Sequence, residues 1–332
     1  MTALGLTIHR APLLKERTSI RLGGPAIAEI RVDSAAGLEQ VPETVLRLGG
    51  LGGRVEPFGA GTNIIAHDQG GQELPLLLIA QGAWHETCVT GEVRSPALPG
   101  ADLGGMGGEA ARYGEAGLVL LKADAAQKLP TLLAKAASLG LGGLEGLTGI
   151  PGSVGGAVAM NAGSYGVCIG DLVHSVEVFS PVLGLTEIPA CGFVFSYRSC
   201  RWIGPSAPSK GDGWFLITGV TLALPKSKRN LIRERMRAVY AKKRATQPVA
   251  ARSAGCVFKN PSPEHPAGRL LEQAGLKGMN RGGMRFSTVH ANFLVNEGAG
   301  ESMDAMYLIE LAKDRVHRES GHLLETEVRV WP

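Results

Sequence analysis

The sequence has little of what marks a metalloprotein, a membrane protein or a nucleic-acid-binding protein. Its five cysteines form no Cys-x-x-Cys pair and no Cys/His set with zinc spacing, so we predict no metal site. No apolar run approaches the ~20 residues that a membrane helix needs. The net charge of +4 is small and dispersed, which argues against a nucleic-acid partner and suits a small anionic substrate.

The cysteine count and the N-terminus also bear on the compartment. An odd, scattered set of thiols favours a reducing environment. The first ten residues show no charged-then-apolar signal pattern. We therefore predict a cytoplasmic protein without membrane insertion, and we expect a monomer.

Glycine is abundant, with 47 residues in a chain of 332, and it is concentrated in one stretch. Seven of the 21 residues at 146–166 are glycine, which predicts a shaped loop because a helix or strand would lose too much backbone entropy. Pro151 fixes φ, while Gly152, Gly155 and Gly156 allow positive φ and close approach to a ligand. The N–H groups could converge on a pyrophosphate. No lysine follows, so the stretch is not a Walker P-loop.

A second glycine loop, at 59–63, follows a predicted strand. It is not a Gly-x-Gly-x-x-Gly motif, because Ile64 occupies the third glycine position. The segment 105–110 is a formal match to that motif with alanine in third place. We interpret it as a surface loop, because residues 99–102 separate it from the preceding strand.

Hydrophobic periodicity indicates strands of a mixed sheet interspersed with helices. The predicted strands lie near 28–32, 55–58, 76–79, 92–98, 118–121, 176–179, 214–224 and 324–330. The predicted helices lie near 38–48, 131–139, 226–244, 268–274 and 302–319. The helix at 226–244 is strongly basic and is expected to link two domains, with an apolar face formed by Leu231, Met236, Val239 and Tyr240.

Two motifs in the glycine-rich stretch resemble a known signature. Gly149-Ile-Pro-Gly-Ser-Val-Gly-Gly-Ala and Met160-Asn-Ala-Gly-Ser-Tyr-Gly are similar to the flavin-binding signature of the UDP-N-acetylenolpyruvoylglucosamine reductase family of bacterial cell-wall enzymes. Further landmarks follow in the family's order: Arg21-Leu-Gly-Gly, Gly59-Ala-Gly-Thr-Asn, Tyr197-Arg-Ser, Gly255-Cys-Val-Phe-Lys-Asn-Pro, Gly275-Leu-Lys-Gly, His290-Ala-Asn-Phe-Leu-Val-Asn and Leu324-Glu-Thr-Glu-Val-Arg. The resemblance covers nearly the whole chain and favours the short form of the family.

The resemblance implies an α+β flavoprotein. Its expected parts are a two-part FAD-binding region of the PCMH/vanillyl-alcohol-oxidase type and a C-terminal α+β substrate-binding domain. We place the FAD-binding subdomains at 1–70 and 71–225 and the substrate domain at 226–332. The positions that match the family's flavin contacts are Arg21, Gly59, Gly61, Thr62, Asn63, Ile150, Gly152, Ser153, Gly155, Gly156, Asn161 and Gly163.

The resemblance also implies a reaction. In the family, NADPH reduces FAD, and the reduced flavin passes hydride to UDP-N-acetylglucosamine enolpyruvate, giving UDP-N-acetylmuramate for peptidoglycan. Hydride addition leaves an enolate beside the substrate carboxylate, so the site needs positive charge, hydrogen-bond donors and an acid. By motif, Arg198 and Glu327 take the enolate-stabilising positions. Glu325 would share a strand face with Glu327, but the motif favours Glu327.

The proton donor is where this chain departs from the family. Most members carry serine at the position of Cys256. A thiol has a reference pKa of ~8.5, so it is mainly protonated at pH 7 and is a better acid than an alcohol. We therefore expect Cys256 to be the general acid. The positions that match contacts to the UDP-sugar are Tyr165, Gln247, Asn260, His290 and Arg329.

Two alternatives stay open at this point. Another flavin oxidoreductase of the same superfamily, such as an oxidase of alcohols or lactones, should lack the Lys259-Asn-Pro and Glu327-Val-Arg segments, which are present here. A noncatalytic relative that binds flavin or a UDP-sugar finds support in the cysteine at 256. Reoxidation of the reduced flavin by the enolpyruvyl sugar separates the catalytic reading from the noncatalytic one.

Overall fold

The structure, a computed structural model, describes residues 2–3, 5–49, 54–69, 75–80, 86–93, 117–204, 207 and 214–331. Its strands are, in chain order, β1 Thr2–Ala3, β2 Leu6–Arg10, β3 Ala28–Val32, β4 Arg54–Pro57, β5 Ile64–Ala66, β6 Pro75–Ala80, β7 Cys88–Val93, β8 Leu118–Asp124, β9 Gly163–Ser164, β10 Val167–Cys168, β11 Val173–Ser180, β12 Gly184–Pro189, β13 Phe193–Ser196, β14 Ser199–Trp202, β15 Leu216–Pro225, β16 Ser253–Cys256, β17 Asn280–Arg281, β18 Met284–Phe286, β19 Phe293–Asn296 and β20 Arg329–Trp331. Its helices are α1 Leu14–Arg17, α2 Ala35–Leu38, α3 Val41–Gly49, α4 Leu129–Leu139, α5 Val154–Ala159, α6 Arg229–Thr246, α7 Ala267–Gln273 and α8 Ser302–Ser320. Helices packed on separate, largely antiparallel sheets confirm the predicted α+β class.

The N-terminal sheet has the strand order β1-β2-β3-β6-β4, and β6 pairs in parallel with both β3 and β4. Leu6, Ile30 and Val32 share a buried cluster with Val41 of α3. Because β6 lies at Pro75–Ala80, this sheet extends past residue 70, where the sequence analysis ends the first subdomain. The three-domain division stays a prediction.

The central sheet is antiparallel, with the order β12-β11-β15-β8-β7. All ten residues of β15 are buried, because this strand lies between β11 and β8 and also packs against α5. The predicted helix at 131–139 is confirmed as α4. Pro130 lies in its first turn, and Gly140 ends it in the left-handed conformation at φ 74°.

The glycine-rich stretch contains a helix, so the prediction of a continuous loop there is wrong. The Ser153 hydroxyl caps α5 by accepting a hydrogen bond from the Gly156 N–H at 3.2 Å. Gly155 and Gly156 are helical, whereas Gly152 has the expected positive φ of 115°. A Cβ on Gly155 would lie 2.9 Å from the Ala125 Cβ, so glycine permits close packing here. Capping and packing therefore outweigh the low helix propensity of glycine.

The C-terminal region folds around a sheet of order β16-β19-β18-β17, with α7 and α8 contributing to its core. Phe258 and Phe286 are fully buried in it. The same cluster includes Ile20, Leu22 and Ile65, so the two ends of the chain share one core. The last strand, β20, also pairs in parallel with β5 near the N-terminus.

The last strand is shorter than the prediction of 324–330. Its pairing begins at Arg329, because the residues before it bond elsewhere. The Glu327 N–H donates to the Val257 carbonyl at 2.7 Å. Glu325 and Glu327 therefore do not share a strand face, and their side chains are 77% and 9% exposed, respectively.

The basic helix α6 forms as predicted, but only part of its predicted apolar face is buried. Ile232 and Lys243 are buried and Met236 is half-buried, whereas Leu231 and Tyr240 of the predicted face are 41% and 45% exposed. Ile232, Met236 and Lys243 lie on one stripe at helical spacing. The hydrophobic pattern was thus right for Met236 and Val239, which are half-buried, and wrong for Leu231 and Tyr240; it did not indicate the buried Lys243.

Some predictions fall outside the described residues. The match at 105–110 lies there, as do residues 94–98 of the strand predicted at 92–98. The other predicted strands and helices, apart from the last strand, lie within a few residues of their expected bounds. No described helix combines the length and apolarity that crossing a membrane requires.

Asn292 should be a strong determinant of stability next to the strand that carries Cys256. Its side chain is buried, accepts a hydrogen bond from the Phe258 N–H at 2.9 Å and donates to the Phe258 carbonyl at 2.8 Å. Asn292→Leu would leave both main-chain groups unpaired, so we expect a loss of about 2–4 kcal/mol in the free energy of unfolding, measured by urea denaturation. The exposed Asn280→Leu is the control and should change it little. Equal losses in both variants would contradict the prediction.

Candidate active site

Two glycine loops line one cavity of about 1090 Å³. We call residues 59–63 the first glycine loop and residues 146–166 the second. A Cβ on Gly59 would lie 2.8 Å from the Ser153 Oγ, and a Cβ on Gly152 would lie 3.0 Å from the Thr62 Oγ1. The loops thus approach so closely that little room is left for side chains. The predicted flavin residues that line this cavity are Gly59, Gly152, Ser153, Gly155 and Gly156.

The two loops differ in the backbone N–H groups that they leave for a ligand. In the second loop, the N–H groups of residues 154–156 already donate to oxygen atoms of Ala125, Gln127 and Ser153. These three groups therefore do not form the predicted anion nest. By contrast, no N–H group of residues 59–63 donates to another residue in the described part of the chain. The first loop is thus better suited to hold a diphosphate.

Cationic side chains that the sequence analysis did not single out also line this cavity. The charged lining residues are Arg17, Arg31, Arg54, Lys128, Arg329, Glu16 and Glu56. Five cations against two carboxylates give the cavity a positive surplus, which suits a dinucleotide with a diphosphate. Of the five, the motifs pointed to Arg329 alone, because the others lie in segments without a recognisable pattern.

A buried carboxylate holds two of these arginines. Glu29 lies in β3 with its side chain 0% exposed, and the Arg17 Nε lies 2.5 Å from it. Arg31 pairs with the other oxygen of the same carboxylate. Glu29 alternates along β3 with the core residues Ala28, Ile30 and Val32, so the sequence pattern indicates an outward side chain. Its burial on the other face of the strand requires the pairing with arginine.

The other predicted flavin residues do not line the cavity. The Asn63 side chain donates to the Glu327 carbonyl at 3.2 Å. The Asn161 side chain donates to the Ser196 carbonyl at 3.0 Å and accepts from the Gly170 N–H at 3.0 Å, so it ties the second loop to its neighbours. The remaining predicted flavin residues outside the described lining are Arg21, Gly61, Thr62, Ile150 and Gly163.

The structure brings the two predicted enolate-stabilising residues together. The Arg198 Nε lies 2.6 Å from the Glu327 Oε1, in an ion pair whose N–H is not aligned as a hydrogen bond. An Arg198 Nη1 donates to the Gly163 carbonyl at 3.2 Å. The two side chains are 21% and 9% exposed, respectively, so water screens the pair less than it would a surface pair.

Cys256 and Tyr197 complete this group, which we call the Arg198 cluster. Burial raises the pKa of the Cys256 thiol to about 12, with the Glu327 charge adding to the shift and Arg198 opposing it. The thiol is therefore protonated at neutral pH, as a proton donor must be. The Tyr197 hydroxyl hydrogen-bonds to Glu327, and burial followed by the Glu327 charge raises the pKa of Tyr197. The sequence analysis missed Tyr197, although it precedes Arg198 in the motif.

The pKa of Glu327 lies above its usual range. Burial raises its pKa, while the charge of Arg198 and a hydrogen bond from Tyr197 act in the opposite direction. Glu325, by contrast, pairs with Lys259 at 3.1 Å on the surface. Of the two carboxyl groups, Glu327 is thus the one that meets Arg198.

Three of the predicted substrate residues have contacts near the Arg198 cluster. Tyr165 is 46% exposed, and its ring centroid lies 5.7 Å from the Lys243 Nζ. The Gln247 N–H donates to the Lys243 carbonyl at 2.8 Å and ends α6. The main chain of Asn260 hydrogen-bonds to the Tyr197 hydroxyl, while its side-chain oxygen accepts from the first N–H of α7 at 2.9 Å.

The other two predicted substrate residues lie elsewhere. The His290 ring packs edge-on against Phe293 at 5.2 Å, and burial lowers its pKa, so the imidazole is neutral at pH 7. Arg329 lines the cavity of the glycine loops, among the cofactor residues. The five predicted substrate residues are therefore spread over several places in the described structure.

Backbone strain coincides with the predicted site. In the described chain, the non-glycine residues with positive φ are Ala11, Arg21, Asn161, Tyr165 and Arg198. Four of these five are predicted site residues. Such conformations cost roughly 1–3 kcal/mol each and persist where the surroundings fix them, so they are concentrated at functional sites.

Comparison with known proteins identifies the family. The family model described as UDP-N-acetylenolpyruvoylglucosamine reductase, C-terminal domain, matches residues 247–331. A UDP-N-acetylenolpyruvoylglucosamine reductase of Nitratidesulfovibrio vulgaris is 45% identical over 325 residues, which cover 98% of this chain and 98% of the relative. UDP-N-acetylenolpyruvoylglucosamine reductase 2 of Symbiobacterium thermophilum is 35% identical, with 98% of this chain and 92% of the relative covered.

A solved structure agrees with these relatives. The crystal structure of UDP-N-acetylenolpyruvylglucosamine reductase from Thermus caldophilus is 30% identical and matches with a TM-score of 0.72, over 98% of this chain and 100% of that chain. The likeness confirms the predicted fold class, and the near-full-length relatives confirm the resemblance found in the motifs. The chain belongs to the UDP-N-acetylenolpyruvoylglucosamine reductase family.

Proposed function

We propose that this chain catalyses the NADPH-dependent, FAD-mediated reduction of UDP-N-acetylglucosamine enolpyruvate to UDP-N-acetylmuramate in peptidoglycan precursor synthesis. The observation that carries the proposal is the Arg198 cluster beside the glycine loops. The Asn63 side chain of the first loop donates to the Glu327 carbonyl at 3.2 Å, so the loop and the cluster are held together. One region of the protein thus contains the charged groups that can stabilise an enolate, a protonated thiol and a cavity for the cofactor.

The cavity of the glycine loops fits FAD. It has a volume of about 1090 Å³ and a surplus of cationic side chains, and glycines open it on both sides. The residues that would hold the cofactor are Arg17, Arg31, Gly59, Lys128, Gly152 and Ser153. When bound, FAD takes up hydride from NADPH and passes it to the substrate. The residues of the chain bind, orient and polarise the reactants.

Arg198 supplies the positive charge that an enolate needs. Hydride addition at the β-carbon of the enolpyruvyl group moves negative charge onto the substrate carboxylate. Glu327 holds the guanidinium at 2.6 Å, so the cation is oriented before the substrate arrives. The negative charge of the substrate raises the pKa of Glu327 further, and the protonated carboxyl donates a hydrogen bond to the enolate oxygen.

Cys256 delivers the proton to the α-carbon. The thiol is in its protonated form because burial raises its pKa to about 12. Collapse of the enolate takes this proton and leaves a thiolate. The Arg198 charge, which lowers the thiol pKa, stabilises that thiolate until solvent reprotonates it.

The UDP-sugar is proposed to lie on the side of the cluster where Tyr165, Gln247 and Asn260 are found. NADPH is the proposed reductant. The cytoplasmic location and the monomeric state stay predictions.

The wild-type protein tests the function directly. Under anaerobic conditions, the visible absorbance of bound FAD should bleach when NADPH is added and recover when UDP-N-acetylglucosamine enolpyruvate follows. Bleaching without recovery would keep the flavin site and exclude this substrate. A protein that binds no flavin, even after reconstitution with FAD, would contradict the cofactor assignment.

Cys256 should be needed for the second half-reaction alone. We expect Cys256→Ala to slow reoxidation of the reduced flavin by the enolpyruvyl sugar at least ~100-fold, the usual contribution of a general acid, while reduction by NADPH continues. Cys256→Ser should stay within about tenfold of the wild type, because serine keeps a donor at the same atom position. Stopped-flow absorbance measures both steps. The exposed Cys191→Ala is the control, and normal turnover of Cys256→Ala would refute the assignment.

Glu327 and Glu325 form a matched pair of carboxylates two residues apart. Glu327→Gln removes the ion-pair partner of Arg198, so we expect reoxidation by the enolpyruvyl sugar to slow about 100-fold. Glu325→Gln breaks a surface pair with Lys259 and should change the rate less than about threefold. Similar rates for the two variants would show that the buried carboxyl has no special role.

A further inference from the structure

Lys243 is a buried lysine that the mechanism above does not use. It lies in the last turn of α6 and is 3% exposed. Its Cδ lies 3.1 Å from the position of a Cβ on Gly149, in the second glycine loop. Its Nζ lies 5.7 Å from the centroid of the Tyr165 ring. The ammonium group is therefore held between that loop and a predicted substrate residue.

The charge of Lys243 has no anionic partner among the described residues, where no hydrogen bond or ion pair reaches its Nζ. Burial, followed by the charge of Arg198, lowers its pKa to about 8. With the side chain only 3% exposed, an ammonium without an anionic partner is poorly hydrated, which is costly. Lys243 lies on the inward stripe of α6 with Ile232 and Met236. Its position there suggests that it binds an anion when the protein functions.

The groups that face Lys243 explain which ligand would be favoured. Arg198 approaches from the turn between β13 and β14, Tyr165 from the turn between β9 and β10, and Tyr240 from α6 itself. Glu327 already pairs with Arg198. Lys243 and Arg198 repel each other, and the carboxylate of Glu327 is already paired. An incoming anion that contacts both cations would therefore be bound favourably.

We propose that Lys243 binds an anionic oxygen of the UDP-sugar, in its carboxylate or its diphosphate, alongside Arg198. The inference rests on the proposed function, from which it takes its ligand. The diphosphate of the cofactor is a less suitable ligand for Lys243, because Lys243 is not among the residues that line the cavity of the glycine loops. Tyr165 and Arg198, its neighbours, both belong to the substrate side of the proposed site.

Three variants of the full-length flavoprotein test the role. Lys243→Met removes the charge and keeps the length, Lys243→Arg keeps the charge, and Lys242→Met is the matched control at an exposed neighbouring position. The measurements are the dissociation constant of UDP alone and the KM of the enolpyruvyl sugar in flavin reoxidation. We expect a loss of about tenfold to a hundredfold in Lys243→Met, substantial rescue in Lys243→Arg and no change in Lys242→Met.

The two ligands identify which oxygen is bound. Weaker binding of UDP by Lys243→Met would assign Lys243 to the diphosphate. Unchanged UDP binding with a raised KM for the enolpyruvyl sugar would assign it to the carboxylate. Melting temperature checks the fold, and Lys243→Met should not lower it, because an apolar isostere removes a buried unpaired charge.

The pH dependence gives a readout that a purely structural lysine would not. Since the pKa of Lys243 is about 8 in the free protein, the ammonium is charged below that pH and loses its proton above it. The affinity of the wild type for whichever of the two ligands Lys243→Met weakens, UDP or the enolpyruvyl sugar, should therefore fall above about pH 8, by up to tenfold per pH unit. Lys243→Arg keeps its charge and should not show this fall, and Lys243→Met should bind weakly at every pH.

Equal affinities and pH profiles for wild type and Lys243→Met would overturn the inference. Loss of flavin from Lys243→Met, or equal slowing of its reduction by NADPH, would also overturn it, because Lys243 would then act on the cofactor. Wild-type flavin that the enolpyruvyl sugar fails to reoxidise would contradict the proposed function instead. The UDP measurement would still judge Lys243 in that case.

Discussion

The ion pair between Arg198 and Glu327 joins two distant parts of the chain, and a hydrogen bond to Glu327 adds a third. Arg198 lies in the turn between β13 and β14, and Glu327 lies just before the last strand. Asn63 of the first glycine loop donates to the Glu327 carbonyl at 3.2 Å. Breaking a buried pair costs roughly 3–5 kcal/mol, because it leaves a charge without a partner. The site and the relative placement of these segments therefore stabilise each other.

Main-chain hydrogen bonds hold Glu327 from both sides. Its N–H donates to the Val257 carbonyl at 2.7 Å, next to Cys256, and the Arg329 N–H donates to the Asn63 carbonyl at 2.9 Å. These bonds set the separation of the thiol, the carboxyl and the first glycine loop without relying on flexible side chains. Because the groups are fixed close together, the charge of Glu327 contributes to the raised pKa of the thiol.

The sequence was sufficient to predict the site residues that lie in short, recognisable motifs. Gly59 and Gly152 stand where the two loops meet, and Arg198 stands in a motif that the fold brings to Glu327. The helix α5 could not be foreseen, because packing of Gly155 against Ala125 arises from a segment some thirty residues away. The burial of one lysine in α6 was equally invisible, since a hydrophobicity pattern counts every lysine as polar.

The substrate itself can set the protonation states that the chemistry needs. The site holds two cations, Arg198 and Lys243, and the Arg198 charge is paired with Glu327, so an anion is attracted to it. Added negative charge raises the pKa of every acid nearby. In the proposed reaction, Lys243 would then stay charged, the pKa of Glu327 would rise further and Cys256 would stay a thiol. One electrostatic change on binding would thus move all three groups toward the states that the proposed reaction requires.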